Sequence, residues 1–277
     1  RRDAAGSHVL SDTVTGITKH LTPNDTSVQG SPAYPYVSDV EDNGIILRGS
    51  ASSGGNVSGR SMVAWCWKGG GNSNTFNVDG KGYASASAAG ITEGNLAITG
   101  ASINREAGFS IVKFTANNNA SATIGHGLNS KPKFVIVKDT ANTDDWQCKF
   151  IDDNMYIPLN DNNAGSTSYG NYTATDTLIN LGYTWNNGSG THVAYSWTNI
   201  PGYSKIGKYN ALGSTDGAYV DLGFRPAFIL IRPTNNFGGS DQNYSTWGLW
   251  DSTRSPSNVV TYGGMLTANK NHAEQVR

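Results

Sequence analysis

Charge, methionine, cysteine and long apolar runs are all scarce in this chain. Charged residues fill 15% of its 277 positions and cancel to a net −1. A near-neutral chain carries no basic footprint for nucleic acid and no polybasic stripe for an anionic membrane, so neither is expected as a main partner. No apolar run reaches the 18 or so residues a spanning helix needs, so no membrane insertion is expected. No stretch sustains apolar residues at i, i+3, i+4 and i+7, which excludes a dominant helix. Cys66 and Cys148 are the only cysteines. Two thiols do not make a disulfide framework; they read as reduced core residues of a protein that folds in a reducing cytoplasm. The opening Arg1-Arg2-Asp3-Ala4 has no Met and no apolar leader, and the chain reads as an internal fragment.

What the chain does have is glycine (34), tyrosine (13) and tryptophan (7), set among many Asn, Ser and Thr residues. That mixture favours short strands joined by tight turns. Asn187-Gly188 suits the positive-φ positions of such a turn. Regularly spaced aromatic and β-branched clusters argue against disorder.

Two blocks recur in register. Gly108-Phe109-Ser110-Ile111-Val112 is matched by Gly202-Tyr203-Ser204-Lys205-Ile206. Lys131-Pro132-Lys133-Phe134-Val135-Ile136-Val137-Lys138 is matched by Arg225-Pro226-Ala227-Phe228-Ile229-Leu230-Ile231-Arg232. The offset is 202 − 108 = 94 in the first case and 226 − 132 = 94 in the second. A third block, Val63-Ala64-Trp65-Cys66-Trp67, returns as Val193-Ala194-Tyr195-Ser196-Trp197 at an offset of 130, and the excess of 36 corresponds to a Gly/Ala/Ser/Asn-rich insertion. Leu21-Thr22-Pro23-Asn24 also resembles Leu266-Thr267-Ala268-Asn269, and Asp12-Thr13-Val14 resembles Asp251-Ser252-Thr253.

The expected organisation is therefore the second half of a module at 1–67, an insertion at 68–107, a complete module at 108–197 and an incomplete one at 198–277. On this reading the parent protein continues at both ends. Phe134-Val135-Ile136-Val137 and Phe228-Ile229-Leu230-Ile231 are apolar on both faces, as buried central strands are. In Val193-Ala194-Tyr195-Ser196-Trp197, Val, Tyr and Trp share one face. The fold class expected is all-β, with tandem antiparallel β-sandwich-like modules.

Candidate chemistry is sparse. Gly125-His126-Gly127 could present a catalytic or metal-binding histidine, but reads better as a turn residue between glycines, since the aligned Asp221-Leu222-Gly223 has none. The five histidines, His8, His20, His126, His192 and His272, show no zinc spacing. Asp144-Asp145, Asp152-Asp153-Asn154 and Asn160-Asp161-Asn162-Asn163 do not fit a calcium loop and read as solvated turns. Gly69-Gly70-Gly71 lacks the Lys-Ser/Thr ending of a phosphate loop. No nucleophile elbow is present, and no recurring acid pair suggests glycoside hydrolysis. No catalytic residue, cofactor or metal is expected. The one binding chemistry the composition favours is stacking of aromatic rings on sugars. The candidate glycan contacts, all in polar, loop-like sequence, are Tyr169, Tyr172, Trp185, Phe237, Tyr244 and Trp247.

The Trp block with Lys68-Gly69-Gly70 after it, Asn74-Thr75-Phe76-Asn77-Val78-Asp79-Gly80, Ile124-Gly125-His126-Gly127-Leu128, the Pro-x-Phe block and the lead-in Ser7-His8-Val9-Leu10-Ser11-Asp12-Thr13-Val14 together resemble an uncharacterised repeat family of virion proteins in marine tailed bacteriophages. The resemblance covers nearly the whole chain. Thr15 departs from it, standing where such proteins often carry Arg. It implies a non-enzymatic structural protein of the virion, of tail-fibre or appendage type, assembled in the host cytoplasm and exposed on the particle. Its implied partners are other virion proteins, further copies of itself in a homo-oligomer such as a trimer, and a host-surface glycan. A capsid or tail decoration protein with no ligand is the alternative, and a polysaccharide depolymerase a weaker one.

Overall fold

A computed structural model describes residues 3–32, 35–49, 55–168, 172–214, 216–235, 245–254 and 264–274. The protein is all-β, with no α-helix among the described residues and one short 3-10 turn at Thr184–Asn186. The strands are β1 (Val37–Glu41), β2 (Gly44–Leu47), β3 (Phe76–Val78), β4 (Lys81–Tyr83), β5 (Ile98–Asn104), β6 (Phe109–Thr115), β7 (Thr123–Gly125), β8 (Phe134–Asp139), β9 (Gln147–Phe150), β10 (Met155–Tyr156), β11 (Leu178–Asn180), β12 (Thr191–Trp197), β13 (Phe228–Ile231), β14 (Gly248–Asp251) and β15 (Leu266–Thr267).

Eight of them form the main sheet in the order β10-β9-β8-β12-β6-β5-β3-β4. Every pairing is antiparallel except β3 with β5. Asp79 (φ 51°) and Gly80 (φ 85°) make the two-residue turn from β3 to β4, whose left-handed backbone matches the twist of a hairpin. The sheet is covered on both faces. Val112, Phe114, Val135, Val137 and Ala194 face a core with Phe76, Ile103, Ile124, Tyr172 and Trp185. Phe109, Ile111, Phe134, Ile136, Val193 and Tyr195 face a second core with Leu21, Trp146, Ile157, Trp247 and Leu266. Double coverage is what the continuous apolar run of β8 requires, and all six of its residues are buried. Its sequence counterpart β13 is also a strand, yet among the described residues it pairs only with β14 and is half-exposed. Residues 202–206 show the same contrast with β6: they begin in an exposed turn and form no strand. Residues 76–104, read from sequence as insertion, supply β3, β4 and β5 to the main sheet.

Close backbone approach explains one glycine run. A Cβ on Gly70 would lie 2.2 Å from the Ile103 carbonyl, so Gly69-Gly70-Gly71 packs directly on β5. Ser102 Oγ fastens it, accepting from Gly70 N–H and donating to the Gly71 carbonyl.

Three short segments around the second core are held by one repeated device. The backbone N–H groups of His8, Trp146 and Trp247 donate to the side chains of Asn24 (2.8 Å), Asn160 (2.7 Å) and Asn269 (3.1 Å). Their ring N–H groups reach into a different turn. Trp146 donates to the carbonyls of Thr22 (3.0 Å) and Asp25 (3.1 Å), Trp247 to that of Pro158 (2.9 Å), and His8 Nε2 lies 2.8 and 3.0 Å from those of Thr267 and Lys270. Four residues after His8 and Trp247 stand Asp12 and Asp251. Each accepts two successive backbone N–H groups, from Val14 and Thr15 and from Thr253 and Arg254. Thr15 Oγ1 donates to Asp12 Oδ2 as Arg254 Nε donates to Asp251 Oδ2, so Thr15 does with a hydroxyl what Arg254 does with a guanidinium.

Candidate functional site

The described surface offers an open cleft of about 540 Å³ at the end of the main sheet where β6 and β12 meet the N-terminal segment. Lys113 on β6, Thr99 on β5 and Thr191 on β12 form its floor; Thr140 and Ala141, just after β8, form one side. Thr15, Lys19, Gln29 and Ser31 form the other.

The local sequence explains how that second wall is held. Asp12 nucleates the turn described above, and buried Tyr195 on β12 donates to its Oδ2 at 2.8 Å, which anchors the turn on the sheet. Burial pushes the Tyr195 phenol well above its ordinary value, and the Asp12 carboxylate beside it acts in the same direction, so the phenol stays a donor. Lys113 Nζ donates to the Val14 carbonyl (3.2 Å), and Gln29 N–H to the Thr140 carbonyl (3.0 Å). Thr140 donates through both N–H and Oγ1 to the Thr191 carbonyl. The lining thus holds five hydroxyls, one carboxamide and two ammonium groups, and no carboxylate. It is a basic, hydroxyl-rich surface that can exchange hydrogen bonds with polyols and attract an anion.

None of the described aromatic residues expected to contact glycans lines this cleft. Tyr169, Phe237 and Tyr244 fall outside the described residues. Tyr172 is 2% exposed, and Trp185 and Trp247 are 0% exposed, so none offers a ring face to a ligand, which corrects the sequence-based expectation for these three. Tyr172 and Trp185 stack on each other at 4.4 Å in the first core. Trp247 is buried because its indole N–H is satisfied by the Pro158 carbonyl, which lets a large apolar ring leave water from a polar stretch of sequence. The rings that do reach solvent include Tyr183, Tyr203, Tyr209 and Tyr219.

Several of the other groups considered from sequence have partners within the fold. His126 is buried, its Nδ1 accepting from Leu128 N–H (3.3 Å) and its Nε2 facing the Thr175 carbonyl (3.2 Å), an arrangement that fits the neutral ring. Burial lowers its pKa to about 4. Asp152 pairs with Lys133 (2.6 Å) and Lys131 (2.9 Å), whose hydrogen bonds hold its carboxyl low, and Asp153 pairs with Lys208. Lys138 is buried and donates to the carbonyls of Thr26 and Asp144, while burial lowers its pKa and raises that of Asp144. Lys149 is buried over the Tyr172 ring, and burial lowers its ammonium to about 8. Among the described residues no group of three His, Cys, Asp or Glu side chains is placed to hold a metal ion, and no helix is long and apolar enough to cross a membrane.

Sequence reasoning missed the cleft. Its residues come from six separated stretches and share no motif; only the Asx-type turn after Asp12 has a local signal.

The fold and cleft define an all-β protein built on one doubly covered sheet with an open polar groove at its end. The chain belongs to the family described as a domain of unknown function, DUF7483, whose model matches residues 1–277. No curated protein and no solved structure matches it.

Proposed function

We propose that the chain is a structural, non-catalytic protein of a tailed-bacteriophage virion, part of a tail fibre or surface appendage, and that its cleft binds an acidic saccharide of the host surface. The phage role is supported by the sequence resemblance. The attachment role is carried by the cleft, whose two lysines and five hydroxyls, without a lining carboxylate, complement a polyol that bears negative charge. The cleft is large enough for a short oligosaccharide on the scale of known ligand pockets. In this reading other virion proteins and further copies of the chain hold it on the particle.

The test is titration of the protein with uronate-containing and neutral envelope oligosaccharides, together with a glycan array. Acidic sugars should bind, weakly and less well as salt rises. Lys19→Gln with Lys113→Gln should reduce that binding at least ~10-fold, since a hydrogen bond to a charged group is worth roughly 1.5–3 kcal/mol. Failure to bind any saccharide, with the fold intact, refutes the attachment role and favours a connector with no ligand of its own. Immunogold labelling of intact virions tests the placement independently.

A further inference from the structure

Among the described residues, β13 lacks a ladder partner on one edge of the β13-β14-β15 sheet, and residues 63–67 lie against that sheet. Trp65 and Trp67 pack edge-on against Phe228 of β13, with ring centroids 5.8 and 5.5 Å away. Trp65 Nε1 donates to Asp251 Oδ2 on β14 (3.1 Å), and Arg254 lies over the Trp65 ring at 5.6 Å. Burial alone would raise the Asp251 carboxyl, but the hydrogen bonds from Arg254 and Trp65 outweigh it and hold the group low. Yet 63–67 is not itself a strand.

The main sheet contains the completed version of this arrangement. There β12 lies antiparallel to β8, with Trp197 opposite Phe134, Ser196 opposite Val135 and Tyr195 opposite Ile136. Trp197 packs on Phe134 at 5.7 Å, and Tyr195 donates to Asp12, the residue that shares its bonding pattern with Asp251. The sequence of 63–67 matches that of β12, and β13 matches β8.

We infer that residues 63–67 are the closing strand of the β13-β14-β15 sheet, laid antiparallel to β13 with Trp67 opposite Phe228, Cys66 opposite Ile229 and Trp65 opposite Leu230. Side-chain burial agrees with this register on both faces. Val63, Trp65, Phe228 and Leu230 pack on the second core, whereas Cys66 is exposed and Ile229 is 38% exposed on the other side. Alternation of this kind follows when two strands share one pleat. The pairing also covers an edge that would otherwise offer unpaired backbone groups to other chains. The occupant is this chain's own segment, because its indole rings are already seated there.

Cys66 supplies the test. Residues directly opposite in an antiparallel pair have Cα atoms about 4.5–5.5 Å apart, within disulfide reach, whereas diagonal neighbours at about 7–8 Å are not. Ile229→Cys should therefore form an intrachain disulfide with Cys66 under mild oxidation. The product should run as a monomer on a non-reducing gel, and both exposed thiols should stop reacting with Ellman's reagent. Cys148 does not compete, because it is buried and burial raises its thiol well above the ordinary value. Ile231→Cys should not crosslink to Cys66, but should crosslink to Ala64→Cys in a Cys66→Ser background. Near-UV circular dichroism of the reduced variants checks that the fold survives. Two exposed, reactive thiols in a folded protein would overturn the inference. So would crosslinking to a second copy only, which would make the segment a strand exchanged between chains.

Discussion

Acidification should destabilise this protein through His126 in a way that one substitution can isolate. The ring is buried, accepts from Leu128 N–H and faces the Thr175 carbonyl, so a proton on Nδ1 would break the first bond and bury a charge. Its pKa falls from 6.5 to about 4, through burial that outweighs the opposing influence of Thr175 and Asp176. The unfolded chain therefore takes up a proton as the pH drops through 6.5, while the folded chain resists until about 4. Stability is complete above 6.5 and declines across that interval. Each pKa unit corresponds to about 1.4 kcal/mol, so the loss approaches about 3 kcal/mol. His8 and His20 are also lowered by burial and add losses of the same sign. Urea unfolding of the wild type and of His126→Gln at pH 7.0 and 4.5 separates the contributions. The variant should be less stable at pH 7 but should lose about 2–3 kcal/mol less on acidification. Parallel decline of the two proteins would refute the reasoning.

Substitutions at two further positions probe packing. His8→Trp should be tolerated within about 1 kcal/mol, because Trp146 and Trp247 occupy the same kind of site, whereas His8→Ala should cost about 1–3 kcal/mol by leaving the Thr267 and Lys270 carbonyls without their donor; thermal or chemical denaturation reads the difference, and equal losses would contradict it. Gly125→Ala should cost about 3 kcal/mol or more, since its Cβ would fall 1.9 Å from the Thr92 carbonyl, and a melting temperature unchanged by the substitution would show that this approach is not real.

The main features of the fold are readable where a short pattern decides the outcome alone. The run from Phe134 to Val137 has to be covered on both sides, and β8 is. The alternation from Val193 to Trp197 sends Val193 and Tyr195 to one core and Ala194 to the other. The same pattern at Phe228 gives a strand but not the same burial, because burial depends on what the rest of the chain lays against it. Trp185 and Trp247 sit in polar sequence and read there as surface rings; what the sequence does not display is the cavity awaiting Trp185 or the distant carbonyl awaiting Trp247. The cleft is illegible for a related reason. Its hydroxyls and lysines are ordinary surface residues until strand ends and a turn bring them together.

The pairing of His8 with Thr267 and Lys270 has a consequence for synthesis. At roughly 5–20 residues per second, the ribosome takes on the order of 10–60 s to make the chain that separates these partners. For that interval the N-terminal segment has its own turn at 21–25 but lacks the socket that receives its imidazole. Final docking of the segment that carries His8 must therefore wait for residues 267–270 to emerge, which leaves that segment open to chaperones, proteases and neighbouring nascent chains until then.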